Sequence, residues 1–396
     1  GIVRETKDPP DRRVPLTPHQ CRVLQERYPG ATVVVQPSEI RCFRDSEYAE
    51  EGIRVGEDLS QCHILLGVKE VSPETLLEDK TYLFFSHTGK KQPYNRGLLQ
   101  AVVEKGIRLI DYEYLTGTLG DRVVAFGRWA GVVGAYNGLR AEGIRSGKFR
   151  LSPATELSGL DELKTKVAGV DLGRTRFVLT GGGRVAGGAV EVLEAAGIVQ
   201  VEPAEYLEKE YDHPVFTRLD PWHYTCRSDG GEFRFSHFVE QPDAYENTFL
   251  PYAGRSDMYI ACHFWDPRSP LLLSQNDLTG LPLKVIADIS CDIDGPIAST
   301  LRASTISEPF YGYDPAGGTE TPPFTPGTIA VMAVDNLPGE LPSDASEDFG
   351  SALLEHVIPA LLGKEEESLL DRATIAAGGR LHHHFDYLED YLAGRE

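Results

Sequence analysis

The sequence predicts an α/β protein with parallel sheets in more than one domain, on three observations. Short apolar runs of strand length recur through the first third of the chain, with helix signals and glycine stops between them. A second such series opens at Arg176–Thr180, which runs directly into a glycine-rich turn and then a helical stretch. The third is size: 396 residues, 41% hydrophobic and 25% charged, can supply two or three domains with cores of their own. Repeated β-α alternation places strands side by side and parallel, with helices on both faces.

The elements follow in order. Thr17 is an N-cap, Pro18 occupies the first helical position and Gln20 stands where a capping box needs it, so a helix starts at Thr17 and runs to about Tyr28. Strands are expected at Thr32–Val35, Cys62–Leu66, Thr81–Phe85 and Ile107–Ile110, with stops at Gly52 and Gly106. The charged, weakly periodic region Arg140–Val167 reads as the crossing between domains. After it come the strand Arg176–Thr180, the turn Gly181–Gly188, a helix to Ala196 and a strand at Ile198–Val201. The stretch Pro203–Ser256 is polar and aromatic; its Trp222, Tyr224, Phe233, Phe235 and Phe238 read as a local packing cluster rather than a nucleotide-stacking surface. Further strands are expected at Met258–His263, Lys284–Ile289 and Thr328–Val334. A helix over Ser343–Leu362 carries Phe349, Ala352, Leu353, Val357, Ala360 and Leu361 on one face.

Composition narrows the function. With 39 Lys and Arg against 60 Asp and Glu the net charge is −21, which repels nucleic acid and anionic membrane and favours a small-molecule substrate. No apolar run approaches the ~20 residues of a bilayer span, and the start, GIVRETKDPPDRR, lacks the hydrophobic region of a signal peptide, so a soluble cytoplasmic protein is expected. The six cysteines are scattered and read as reduced packing residues. The run His382-His383-His384 reads as surface rather than a metal site, since adjacent histidines diverge on a helix, and no other spacing suggests a metal. Oligomeric state is left open.

Gly181, Gly183 and Ala186 fit G-x-G-x-x-G/A, with Arg184 and Val185 between the second glycine and the alanine. The first glycine makes the tight turn, the second lets the backbone approach a pyrophosphate and the third small residue lets helix pack on strand. Glu202, about 20 residues on, can accept hydrogen bonds from the adenine-side ribose and favours NAD over NADP, whereas Arg184 could instead pair with a phosphate. Lys69 and His87 each follow an apolar strand, where parallel sheets bind ligands, and suit proton transfer. The alternative for each is an exposed lysine and a structural histidine. Arg12, Arg13 and Arg122 are candidate carboxylate clamps, or else surface arginines.

The segments Gly67-Val68-Lys69, Phe84-Phe85-Ser86-His87-Thr88, Arg108 to Glu113, Arg122 to Gly127 and Trp129-Ala130-Gly131 resemble the lysine–ketoglutarate reductase half of animal and plant aminoadipic semialdehyde synthase. More loosely, they resemble fungal lysine-forming saccharopine dehydrogenase. The likeness continues through Val201-Glu202-Pro203, Asp288 to Asp292 and Asp335 to Pro338. Both relatives belong with alanine dehydrogenase and the transhydrogenase nucleotide domains. The resemblance implies two Rossmann-like domains with an interdomain cleft, one discontinuous over residues 1–135 and 320–396, the other over 136–319. It implies reversible conversion of saccharopine and a nicotinamide cofactor to lysine and 2-oxoglutarate. Lys69 and His87 would be the acid–base groups, Arg13 and Arg122 would hold substrate carboxylates, and Lys7, Glu70 and Glu113 would tune the site. Asp288 and Asp292 join the cofactor residues. The reductase half uses NADPH and the fungal enzyme NAD. An alanine-type amino-acid dehydrogenase and a non-catalytic NAD(P)-binding module are the alternatives.

Overall fold

The computed structural model describes residues 1–118, 120–363 and 368–395. They form two compact units, Gly1–Phe126 with Pro342–Glu396, and Gly127–Leu341. Each has its own main sheet.

In the first unit, Ile64–Leu66, Thr81–Phe84 and Arg108–Asp111 run parallel. Ile2 extends the sheet by bridging Leu66 to Val35 of the short parallel pair Val34–Val35 and Arg54–Val55. The run is apolar because both faces are covered: Leu65, Tyr82, Leu83, Leu109 and Ile110 are all buried. The helix Arg96–Glu104 places Leu98, Leu99 and Val102 in the same core. At the far side Thr374–Ala377 joins antiparallel to Arg108–Asp111, followed by Arg380–Leu381 at the edge. The Pro18–Arg27 helix opens with the expected box, Gln20 N donating to Thr17 Oγ1 and Thr17 N to Gln20 Oε1. The expected helix Ser343–Leu362 is instead Pro342–Ala352, a π-helical segment Leu353–Val357 and Ile358–Leu361. Pro359 lies in its last turn and has no N–H for the ladder.

The second unit holds an eight-stranded sheet in the order Thr319–Thr321, Phe310–Asp314, Ile329–Met332, Val285–Asp288, Met258–Ala261, Arg176–Thr180, Val215–Leu219, Val199–Gln200. The last six are parallel; Phe310–Asp314 is antiparallel to both its neighbours. Val178, Tyr259, Ile286 and Val331 lie in its core. In the Pro203–Ser256 stretch, Phe233 and Phe238 pack ring on ring with Tyr245, at centroid distances of 5.0–5.6 Å, whereas Trp222 and Phe235 are exposed, so the expected packing cluster forms only in part.

Two expectations need correction. The units part at 126/127 and 341/342, not at 135/136 and 319/320. The helix Gly127–Ser146 packs against Arg184–Ala195 so closely that a Cβ on Gly131 would lie 1.8 Å from the Val185 carbonyl oxygen, and one on Gly188 2.0 Å from that of Arg128. That helix therefore belongs wholly to the second unit, and Arg140–Val167 is not the crossing. Ile329–Met332 likewise pairs with Val285–Asp288 in the second sheet. The other correction is the strand Val215–Leu219, which lies between the motif strand and Val199–Gln200.

Candidate active site

Because Ile64–Leu66 and Thr81–Phe84 are parallel neighbours, Lys69 and His87 emerge just past the same edge of the first unit's sheet. Glu5 shapes the Lys69 turn by accepting the amides of Val68 (2.7 Å) and Lys69 (3.0 Å). Burial raises the Glu5 carboxyl to about 7 against the lowering effect of those two bonds. His87 has a left-handed backbone, φ +53°, a strained position for a residue with a Cβ. Glu70 joins the two turns: its Oε1 is 2.7 Å from His87 Nδ1, and its Oε2 accepts from Lys7 Nζ at 2.9 Å. Burial pushes the Glu70 carboxyl up, but the His87 bond and the Lys7 ammonium outweigh it and bring it down to about 2.

With Nδ1–H donated to Glu70, the neutral ring carries its lone pair on Nε2, which makes no hydrogen bond among the described residues. Lys69 Nζ likewise has no hydrogen bond or ion pair among them. Its pKa is lowered, first by burial and then by the charges of Arg13 and Lys7, with Asp11 and Glu70 opposing. An unpaired lysine whose pKa is lowered by burial and an imidazole held by a carboxylate at one nitrogen and open at the other are the donor and acceptor groups that proton transfer needs.

Of the three arginines expected to clamp carboxylates, Arg13 is buried, its Nε 3.0 Å and Nη2 2.6 Å from the two Asp11 oxygens and its guanidinium 4.2 Å over the Phe126 ring. Burial raises the Asp11 carboxyl, but Arg13 outweighs it and holds it near 2. Arg13 is thus a fixed positive wall beside Lys69 rather than an open fork. Arg12 is exposed and donates Nε to the Ile40 carbonyl at 3.3 Å, which leaves the clamp role without support from its contacts. Arg122 Nη2 donates to Glu113 Oε1 at 2.7 Å, and Lys90 Nζ lies 3.1 Å from the same oxygen. Glu113 is pushed up by burial and more strongly down by Lys90 and Arg122, with His87 adding to the lowering, so this cluster adjoins the His87 loop. Buried Asp111 ties the two loops: Oδ2 accepts Ser86 N (2.9 Å) and Oγ (2.6 Å), and Oδ1 accepts Glu113 N (2.8 Å). Sequence reasoning gave no role to Glu5, Asp11, Lys90 or Asp111. A carboxylate closing a buried strand, as Asp111 does, was the one available signal.

In the second unit, the turn after Arg176–Thr180 fits a dinucleotide. Gly181 has φ +113°, and a Cβ there would lie 2.6 Å from the Cys262 carbonyl oxygen. A Cβ on Gly183 would meet nothing within 4 Å, so the backbone is open to a pyrophosphate before the helix that starts at exposed Arg184. Ala186 is buried, and Val185 packs under Gly127. Beside the turn, buried His263 bonds Thr180 Oγ1 through Nδ1 at 2.8 Å, has no partner for Nε2 among the described residues, and is lowered by burial to about 4.

The acidic residue next to this turn is Asp220. The strand flanking the motif strand is Val215–Leu219, and Asp220 at its carboxyl end brings Oδ1 to 2.2 Å from where a Gly182 Cβ would stand. Glu202 is exposed and caps Pro203–Glu208 beyond the outermost strand. The ribose position of a dinucleotide fold is the end of the strand next to the motif strand, so the geometry favours Asp220 over Glu202. Arg218 Nη2 lies 3.2 Å from Asp220 Oδ2. Asp288 is buried, its oxygens taken by Ser290 Oγ, Thr300 Oγ1 and Cys291 N; it clamps its own loop rather than facing a ligand. Asp292 lies in that loop, its carbonyl accepting Gly295 N at 3.0 Å.

Residues 1–133 match the model of the alanine dehydrogenase/PNT N-terminal domain. The chain is 31% identical to mitochondrial alpha-aminoadipic semialdehyde synthase of Bos taurus, covering 100% of this chain and 48% of that one. It is 30% identical to alpha-aminoadipic semialdehyde synthase of Arabidopsis thaliana, covering 98% and 41%. It thus spans about half the length of these curated relatives or less. To the NAD(+), L-lysine-forming saccharopine dehydrogenase of Emericella nidulans it is 27% identical over 90% of each chain. Among solved structures, an L-alanine dehydrogenase shares the fold with a TM-score of 0.65 at 17% identity, covering 100% of this chain and 99% of that one. The transhydrogenase from Sinorhizobium meliloti does so with 0.60 at 15%, covering 97% and 99%. The chain is thus similar over nearly its whole length to part of alpha-aminoadipic semialdehyde synthase and to L-lysine-forming saccharopine dehydrogenase, its first 133 residues match the alanine dehydrogenase/PNT N-terminal domain, and it shares the fold of alanine dehydrogenase.

Proposed function

We propose that the chain is a nicotinamide-dependent oxidoreductase acting on a CH–NH bond, interconverting saccharopine with lysine plus 2-oxoglutarate. The observation that carries this reading is the Lys69–Glu70–His87 group, an unpaired ammonium of lowered pKa beside an imidazole fixed through one nitrogen and open at the other. Bound at the Gly181–Gly188 turn, the nicotinamide supplies hydride transfer at the carbon of the C–N bond. In the oxidative direction Lys69, in its neutral amine form, takes the proton of the secondary amine and becomes the ammonium. His87 Nε2 moves protons as water adds to the imine carbon, and the carbinolamine collapses to the amine of lysine and the carbonyl of 2-oxoglutarate. Glu70 stabilises the imidazolium and keeps the ring in place.

Saccharopine carries three carboxylates, and Lys7, Arg13, Lys90 and Arg122 surround the group with positive charge. The cations favour it over the smaller substrate of an alanine-type dehydrogenase. Asp220 beside the turn favours NAD over NADP, since a 2′-phosphate would meet its carboxylate. All six cysteines are free thiols, which supports a reducing compartment such as the cytoplasm. Absorbance at 340 nm with each substrate tests the reading. Saccharopine-dependent reduction of NAD is expected. Oxidation of alanine without saccharopine turnover establishes the alanine-type reading, and cofactor binding without turnover of any amino acid or oxo acid establishes the binding module.

A further inference from the structure

In the first unit the edge strand Arg380–Leu381 turns into the short helix His383–Leu388, and the three consecutive histidines sit on that turn. Along one helix their side chains would diverge. Here His382 is still extended, at φ −80° and ψ 146°, and the helix begins only at His383. The rings consequently gather on one side, with centroids 4.2, 4.0 and 5.2 Å apart. One ring nitrogen from each lies within 4.8 Å of the other two.

Two further features point to a ligand. Asp371 stands behind the cluster, with Oδ1 3.1 Å from His382 Nε2 and Oδ2 3.7 Å from His384 Nε2. A carboxylate that accepts Nε2–H fixes the tautomer and leaves the ring's lone pair on Nδ1, the arrangement found behind metal-bound imidazoles. His382 Nδ1 is buried and has no hydrogen-bond partner among the described residues, so the cost of taking it out of water is uncompensated. His382 and His383 also line a surface cavity of about 710 Å³ with Asp386 and Glu389, which gives an ion access and room for water or carboxylate oxygen beside the imidazoles.

We propose that His382, His383 and His384 form a binding site for a divalent transition-metal ion of the zinc class, with Asp371 as the positioning carboxylate. Imidazole donors select zinc, nickel or copper over magnesium and calcium, which take oxygen ligands. A tetrahedral ion with Zn–N near 2.0–2.1 Å needs donor atoms roughly 3.4 Å apart. The rings therefore close by about 1.5 Å at most, a movement that exposed His383 and His384 can make by side-chain rotation.

The test is calorimetric titration of the full chain with Zn²⁺ at pH 7.5, with Mg²⁺ as control. One equivalent of zinc is expected, lost in a His383→Ala/His384→Ala double variant and bound roughly 10- to 100-fold more weakly by Asp371→Asn. Co²⁺ in place of zinc separates this site from the six thiols, since imidazole and carboxylate ligation gives no thiolate charge-transfer absorption. Zinc binding that survives the double variant, that shows thiolate absorption with cobalt, or that is no tighter than Mg²⁺ overturns the site. Unchanged affinity in Asp371→Asn overturns the role given to that carboxylate.

Discussion

Among the described residues Glu70 is the carboxylate that Lys7 and His87 share, so Glu70→Gln removes its charge while keeping an acceptor oxygen. Its carboxyl is depressed from 4.5 to about 2, which at roughly 1.4 kcal/mol per unit is about 3 kcal/mol in favour of the folded state. Since the amide retains part of the hydrogen bonding, the expected loss at neutral pH is about 2 kcal/mol. A depressed carboxyl contributes its stability above its unfolded value and loses it as pH falls from about 4.5 through about 2. By pH 3.5 about 1.4 kcal/mol of the wild-type contribution is gone, whereas the glutamine variant has nothing to lose there. Urea unfolding of both proteins at pH 6 and pH 3.5 measures this. The stability gap should narrow by roughly 1 kcal/mol on acidification. A gap that is absent at pH 6, or constant between the two pH values, refutes the assignment of Glu70 as the charge holding Lys7 and His87.

Lys69→Met and His87→Gln should each lower kcat by at least ~10²-fold with unchanged circular dichroism; near-normal turnover in either removes that residue from acid–base chemistry. Asp220→Asn should weaken NADH binding by roughly 10- to 100-fold in a fluorescence titration, the worth of a charge-assisted hydrogen bond. Glu202→Gln should leave it nearly unchanged, and the reverse pattern restores Glu202 as the ribose partner. Gly188→Val drives side-chain atoms into the Arg128 carbonyl, so it should cost about 1–3 kcal/mol or more and lower the melting temperature; an unchanged melt contradicts the close helix crossing.

The placement of Lys69 and His87 past neighbouring parallel strands was legible because such a strand announces itself as a short apolar run, and the residues just after it fall at the carboxyl edge of the sheet. The Thr17 cap was legible because all its partners lie within one turn. Asp220 was not. Its strand, Val215–Leu219, is short, carries Arg218 and lies inside a polar and aromatic stretch, and the sheet order departs from the chain order, so counting residues from the glycine turn led to Glu202. Arg13 read as a clamp because an i, i+2 ion pair with Asp11 leaves no periodic mark. Glu5 reaches Val68 across 63 residues, a contact that no local pattern encodes. The domain break was displaced because Gly127–Ser146 is buried nearly all round, with Val132, Val133, Tyr136 and Leu139 inaccessible, and so shows no amphipathic stripe to set its limits.

In the proposed reaction hydride moves to the carbon that joins the amine to the 2-oxo acid skeleton. Mass spectrometry of the product formed from lysine, 2-oxoglutarate and NADH deuterated at the transferring position tests it most directly. Saccharopine carrying one deuterium, located on the carbon derived from the 2-oxo group, is expected. Saccharopine absent from the mixture, with label appearing only in a small amino acid when pyruvate and ammonia are supplied instead, would contradict it.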